Sequence, residues 1–542
     1  MTTLLSLAAE VRAIAVSFSG PLDVVRSEAV SASWRARVGD AAFWRSHCEA
    51  DFGSESFAPR TQWRDCWVHW RIIQRACSGD DASPLSAPVW LETAAAWHAI
   101  TSSDLRGTSI VASLRGGVLV NRHSLGGIIE GGIPDALLAL WAVHNGQSLA
   151  RDDMIDRQTF CDRQTPWPLH APFGAWLMDE IDGTPISGLS DAPQFSGLFG
   201  GVSCYSKRHS TRLLSAHRCC AYTAFMRNNL RRAAAERPVA FSPPLEQSLI
   251  IAASEMFDRI VVLDATPGPG GTCDVYVGSP ADWYRGDLVR ACPIAAAAGA
   301  AARPGLTAWF SEFAARVSDG VYAVESPFGL SLFPTKQGAS LGAHTVTSAV
   351  TRGVRVTAST YFYAGNHVSY GFAYSIQIAL VEPARSSLGP ADAAAVEAGT
   401  LDARAVDGSG QPRGVRAALI ASPGCQLRGR HWIKTDGATG ATSHTRGDGV
   451  IGKLPVLRVG GYFDVDGSLP LNGDNVTRRA PWVAGTFVYQ SCTGTDWTEG
   501  STFGGTLRFE PGTLDDTRQW EEGFGFDVVV APFTLATPRF IY

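Results

Sequence analysis

One pattern in the last third of the chain restricts its fold more than any other. Val354, Val356, Ala358, Thr360 and Phe362 alternate with Arg355, Thr357, Ser359 and Tyr361. Further on, Phe372, Tyr374, Ile376, Ile378 and Leu380 alternate with Ala373, Ser375, Gln377 and Ala379. A period of two sends successive side chains to opposite faces of an extended strand, so each segment offers one apolar face. More such segments follow, separated by Gly, Asp and Asn, as antiparallel strands joined by turns require. Residues 346–542 are therefore expected to form an all-β sandwich, with an Ala-, Gly- and Asp-rich insertion near 384–415.

The remaining sequence changes character twice, and a length of 542 residues leaves room for several domains. Residues 1–52 read as a small all-α module. Leu7, Val11, Ile14, Ala15 and Phe18 recur at helical spacing, Gly20-Pro21 breaks the pattern, and Asp23 and Asp40 stand where they can cap two further helices. So few residues bury little surface alone, so this module is expected to lean on a partner. Residues 53–88 read as a linker ending in the breaker-rich DDASPLSAP of residues 80–88. Residues 89–325 mix helix and strand as an α+β unit, with a Pro-, Asp- and Gly-rich loop insertion near 150–195. Within it, Ile133-Pro134-Asp135 starts a helix whose apolar side is Leu137, Leu138, Leu140 and Trp141, and His144-Asn145-Gly146 ends it. Ile260–Leu263 and Cys273–Val277 read as strands.

Composition narrows the function classes. Hydrophobic residues are 45% and charged residues 18%, which suits packed cores, and a net charge of -5 implies no general affinity for nucleic acid or anionic membrane. The eleven cysteines form no CxxC pair, which speaks against a zinc ribbon or thioredoxin-type site and for free thiols in a reducing compartment. Glu10 and Arg12 interrupt the only apolar stretch near the start, and Ala295–Ala302 is too short to span a bilayer. A soluble protein of the cytoplasm or nucleus is expected, for which the sequon Asn475-Val476-Thr477 is a coincidence. The twelve histidines show no HExxH spacing, so neither a metal site nor a cofactor is expected.

Three features invite chemistry. Gly447, Gly449 and Gly452 fit GxGxxG, the loop that cradles a dinucleotide pyrophosphate when a strand precedes it and a helix follows. Pro455 and Gly460-Gly461 leave no room for that helix, so a turn between strands is expected, while a nest of amides without a helix keeps an anion or ligand loop open. Cys425 and His431 suggest a thiol and its base, but six residues along a strand set them too far apart to touch. Lys207, Arg208, Arg212, Arg218, Arg227, Arg231, Arg232 and Arg237 can dock an acidic segment or form a solvated helix face, the reading expected here.

Three resemblances run along the chain. The segments CQLRGRHWIKTD (Cys425–Asp436) and GDGVIGKLP (Gly447–Pro455), with FAYSI (Phe372–Ile376), TRGVRV (Thr351–Val356) and WVAGTF (Trp482–Phe487), resemble the ApaG domain across 346–542. That family's fold is a fibronectin-like β-sandwich with its glycine motif between strands. Asp23-Val24-Val25, Trp34, Phe43-Trp44 and Cys48 resemble the F-box, with Ala8-Ala9 where that family has Leu-Pro. IPDALL (Ile133–Leu138), LWAVHNGQ (Leu140–Gln147), FSGLFG (Phe195–Gly200) and Leu213-Leu214 resemble the SUKH superfamily. Together they imply a non-catalytic substrate receptor of an SCF-type (Skp–cullin–F-box) ubiquitin ligase. Its partners would be a Skp-family adaptor, the cullin and an unknown substrate protein. Leu7, Val11, Ile14, Leu22 and Val25 are the candidate adaptor contacts, with internal packing as the alternative for each. Two other readings stay open: a scaffold whose F-box no longer reaches a ligase, and a pyrophosphate or nucleotide binder acting through the glycine loop.

Overall fold

Strands β5 (Ser248–Ser254) and β6 (Ile260–Asp264) are buried along nearly their whole length, because SLIIAAS and IVVLD are apolar on both faces and can sit only in the middle of a covered sheet. The computed structural model describes residues 86–117, 120, 129, 132–147, 197–204, 207–236, 238–254, 259–266, 273–293, 305–325, 329–338, 341–364, 371–382, 424–465, 481–493, 498–511 and 526–542. The helical module at 1–52, nearly all of the linker, and the insertions near 150–195 and 384–415 lie outside the described residues.

Around that pair runs an eight-stranded sheet. It adds β3 (Gly201–Cys204), β4 (Lys207–Leu213), β7 (Asp274–Gly278), β8 (Val289–Arg290), β9 (Ala323–Glu325) and β10 (Gly329–Ser331), in the order β8-β7-β6-β5-β4-β3-β10-β9. All neighbours are antiparallel except β10 and β3. Helices α1 (Ala87–Ser102), α3 (Asp135–Val143), α4 (Ala216–Glu236) and α6 (Gly305–Ser318) share its core, while α2 (Ser109–Ala112) and α5 (Pro280–Arg285) are short. Helix α5 carries a full capping box, Ser279 with Asp282, and ends on Gly286 at φ +78°.

The HNGQ segment does more than end a helix. Helix α3 stops at Val143, and β2 (His144–Gln147) pairs with β1 (Leu114–Gly116). Asn145 Oδ1 accepts from the amide of Ala216 at 2.8 Å, filling one of the donors that the start of α4 leaves unbonded. Gln147 accepts from the Leu198 amide at 2.6 Å and donates to Ser113 Oγ at 2.8 Å. Gly146, at φ +74°, lies where a Cβ would meet the Ser215 amide nitrogen at 2.4 Å, so only glycine lets the two backbones approach.

The C-terminal third is a two-sheet β-sandwich. One sheet orders β11 (Val346–Thr351), β12 (Val354–Phe362), β13 (Phe372–Leu380) and β19 (Phe487–Cys492) as β11-β12-β13-β19. The other is built on β14 (Gly424–Thr435), flanked by β15 (Thr442–Asp448), β16 (Val456–Arg458), β17 (Gly461–Phe463), β18 (Trp482–Ala484), β20 (Ser501–Pro511) and β21 (Phe526–Leu535). Val354, Val356, Ala358, Phe372, Tyr374, Ile376, Ile378 and Leu380 from the first sheet meet Leu427, Trp432, Leu507, Phe509, Val528, Val530 and Phe533 from the second.

The two-fold alternation fails at one end of β12 and β13, where Ala358–Tyr361 and Phe372–Ser375 are buried throughout. The outward side there is covered by the α/β unit, and Tyr361, Tyr363, Ala364 and Ala373 belong to that unit's core. The final residues cross the same boundary. Tyr542 lies with its ring 5.1 Å from those of Trp309 and Phe313, under the guanidinium of Arg316 at 5.1 Å. Its hydroxyl donates to the Trp309 carbonyl at 3.0 Å, the Trp309 indole donates to the Ile541 carbonyl at 2.7 Å, and Tyr361 and Arg259 donate to the Tyr542 carbonyl.

Candidate functional site

Strand β14 carries the densest set of distinctive residues and changes direction of use along its length. A bulge between Leu427 and Gly429 puts an extra residue against β20. The parity of the strand reverses there. Cys425 and Leu427 face the sandwich core, and so does Trp432, an odd number of residues further on. His431 faces the opposite way, out of the sandwich, so Cys425 and His431 are on different faces as well as far apart. The Cys425 thiol is fully enclosed and burial pushes it far above an ordinary thiol, which removes its thiolate.

The glycine motif closes the β14–β15 hairpin region as a turn between strands. Gly447 and Asp448 end β15, and the chain then turns through Gly449 (φ +53°), Ile451 (φ +45°) and Gly452 (φ +76°) toward β16, with no helix following. The amide of Gly449 donates to the Arg428 carbonyl at 2.8 Å, and Val450 and Lys453 exchange two bonds at 3.0 and 2.8 Å. Arg430 Nη1 donates to the carbonyls of Asp448 at 2.8 Å and Gly449 at 2.7 Å. The loop thus turns carbonyl oxygens onto a cation and spends these three amides internally, the reverse of a cradle in which successive amides converge on phosphate. Gly449 is required by sterics: a Cβ there would lie 2.4 Å from the Lys453 carbonyl.

Other titratable groups cluster at the far end of the same hairpin and on its outer face. Asp436 Oδ1 accepts from the amides of Ala438 and Thr439 and the Thr439 hydroxyl, and Oδ2 accepts from the Thr498 hydroxyl at 2.7 Å. Those donors, Thr498 first, hold its carboxyl down at about 2. His431 Nε2 lies 2.9 Å from His444 Nδ1 across the strands, the rings stacked at 5.1 Å. Partial desolvation in that stack, with Arg446 and His444 beside it, keeps His431 below the ordinary imidazole value. Among the described residues, no group of three or more His, Cys, Asp or Glu side chains is arranged to hold a metal ion.

The basic run does not form one face. Arg212 lies on β4 and is buried; Arg227 on α4 is buried and donates to the carbonyls of Glu246 at 3.1 Å and Ser248 at 2.8 Å. Arg231 pairs with Glu246 on the surface. The expected solvated helix face is divided because the run straddles a strand and a helix whose arginines tie α4 to the start of β5. Arg237 and the candidate adaptor contacts Leu7, Val11, Ile14, Leu22 and Val25 lie outside the described residues. Sequence reasoning missed the Tyr542 anchor, whose partners Trp309 and Phe313 are more than two hundred residues away and give no local signal. Among the described residues, no helix is long and apolar enough to cross a membrane.

No family model matches the chain. Among curated proteins, Protein ApaG of Xanthobacter autotrophicus is 43% identical over 58 residues, 11% of this chain and 44% of that protein. Protein ApaG of a Bradyrhizobium species is 38% identical over 69 residues, 13% of this chain and 48% of that protein. Protein ApaG of Rhodospirillum centenum is 50% identical over 46 residues, 8% of this chain and 35% of that protein. The chain spans less than half the length of each of these relatives. A crystal structure of the putative ApaA protein from Bordetella pertussis superposes with a TM-score of 0.19 and 20% identity, covering 34% of this chain and 94% of that one. The chain is multidomain and carries a C-terminal ApaG-like domain.

Proposed function

We propose that this chain is the substrate-recognition subunit of an SCF-type ubiquitin ligase, and that it performs no bond chemistry itself. In this reading, residues 1–52 dock on a Skp-family adaptor that joins the cullin. The α/β unit, read as SUKH-type, and the ApaG-like sandwich together hold the substrate protein. A receptor works by raising the concentration of bound substrate beside the ubiquitin-charged enzyme, and a platform held at fixed geometry does this better than freely hinged modules. The observation that supports it is the shared core: Tyr361, Tyr363 and Tyr542 from the sandwich side pack into the α/β unit. Cys273 and Cys292 are placed for packing, since burial lifts them to about 12 and about 11. The glycine loop, with its carbonyls turned onto Arg430, favours a structural turn over a pyrophosphate site.

The test is co-purification of the tagged full chain from its own cells beside a version lacking residues 1–52. Adaptor and cullin arriving with the full chain only are the expected outcome. Their absence from both samples sinks the ligase reading and leaves an interaction scaffold.

A further inference from the structure

The outer face of the four-stranded sheet is not covered along its whole length. Where the connector Thr335–Gln337 leaves the α/β unit, it runs beside β11, β12 and β13 and leaves a cleft of about 480 Å³. The size falls within the range of ordinary ligand pockets. Its floor is set by register: Ser348 opposes Thr357, Thr357 opposes Gln377, and Arg355 opposes Ala379, so these side chains project from one face. Lys336 enters from the connector. Among the described residues, two cations therefore line the cleft with hydroxyl and amide groups, and no carboxylate does.

Among the described residues, neither cation is committed. The ion pairs of the described residues involve other groups, and both Lys336 and Arg355 are exposed. In a chain of net charge -5, two cations with no carboxylate beside them among the described lining residues form a local field of the opposite sign, which draws anionic groups and fixes their register. Ser348 and Thr357 hydroxyls, 3.0 Å apart, and the Gln377 amide supply donors around the charge.

We propose that this cleft binds an acidic peptide segment of a partner protein, with an anionic side chain, carboxylate or phosphate monoester, placed between Lys336 and Arg355. The inference deepens the receptor reading and rests on it for the partner being a protein; the charge arrangement itself does not depend on residues 1–52.

The experiment is fluorescence polarisation of the full chain with three labelled peptides of one length: glutamate-rich, the same with one phosphoserine, and the glutamine equivalent. Binding of either acidic peptide is expected to weaken about tenfold or more in the double variant Lys336→Glu, Arg355→Glu and to fall with rising salt. The glutamine peptide should bind neither protein. Preference for the phosphoserine peptide assigns the anion as phosphate, and preference for the glutamate peptide assigns it as carboxylate. Both substituted residues are exposed, and an unchanged melting temperature with the milder Lys336→Gln, Arg355→Gln variant controls for folding. Equal affinity of wild type and both variants, or equal binding of the glutamine peptide, overturns the proposal. Loss of adaptor co-purification with intact, Lys336- and Arg355-dependent peptide binding would sink the ligase reading while leaving the cleft standing.

Discussion

Replacing Tyr542 by alanine should uncouple the sandwich from the α/β unit. The side chain is 3% exposed, and its ring lies against Trp309, Phe313 and Arg316. Burying roughly 200 Å² at about 25 cal/mol per Å² gives ~5 kcal/mol as an upper bound, and large-to-alanine changes at buried aromatic positions cost about 3–5 kcal/mol. The lost hydroxyl bond to the Trp309 carbonyl adds about 1 kcal/mol within that range. The expected cost is about 4 kcal/mol, a large share of a typical domain's stability. Because the tail is shared by both units, the wild type should unfold in one transition and Tyr542→Ala in two, the earlier one lowered by roughly 8–16 °C. Tyr542→Phe keeps the ring and should cost only about 1 kcal/mol. Differential scanning calorimetry and urea unfolding read both quantities. A cost below about 1 kcal/mol for the alanine variant, or a phenylalanine variant as damaged as alanine, would refute the anchoring role.

Gly449→Val should destabilise the sandwich by roughly 3 kcal/mol or more, because a left-handed backbone and a Cβ 2.4 Å from the Lys453 carbonyl are both violated; an unchanged melting temperature would contradict this. Asp436 has a folded-state pKa of about 2, below its unfolded value, so its contribution is fully present above about pH 4 and is lost as pH falls through about 2. A carboxyl titration followed by NMR should show that depressed midpoint, and an ordinary midpoint near 4 would remove the turn's hydrogen bonds from the account. At pH 8, Cys273, Cys292 and Cys425 should resist alkylation in the folded chain and react on unfolding, since burial suppresses each thiolate; rapid labelling of any of them in the native protein would contradict the packing.

How far the sequence revealed the fold depended on whether the cause was local. Period two in β12 and β13 foretold both strands, because alternation is a property of the segment itself. It could not foretell that Tyr361 and Ala373, on the side read as outward, are buried against another part of the chain. Ile133-Pro134-Asp135 marked the start of α3, since capping is local, whereas the task of Asn145 and Gln147 depends on α4 and the 197–200 turn. Pro455 and the glycines after it argued against a helix behind the glycine motif, and β16 follows it. The parity reversal in β14 escaped because a bulge leaves no compositional mark beyond one glycine. Arg355 was legible as an outward residue, but its companionship with Lys336 arises from where the connector crosses the sheet.

The receptor reading is tested most directly by titrating a purified Skp-family adaptor into the full chain and into a variant with Ile14→Asp and Val25→Asp, using isothermal calorimetry. A saturable one-to-one complex with the wild type, weakened at least about tenfold in the variant, is the predicted result. No heat of binding with either protein, or equal affinity for both, would contradict the account and leave the α/β unit and the ApaG-like sandwich as an interaction platform outside any ligase.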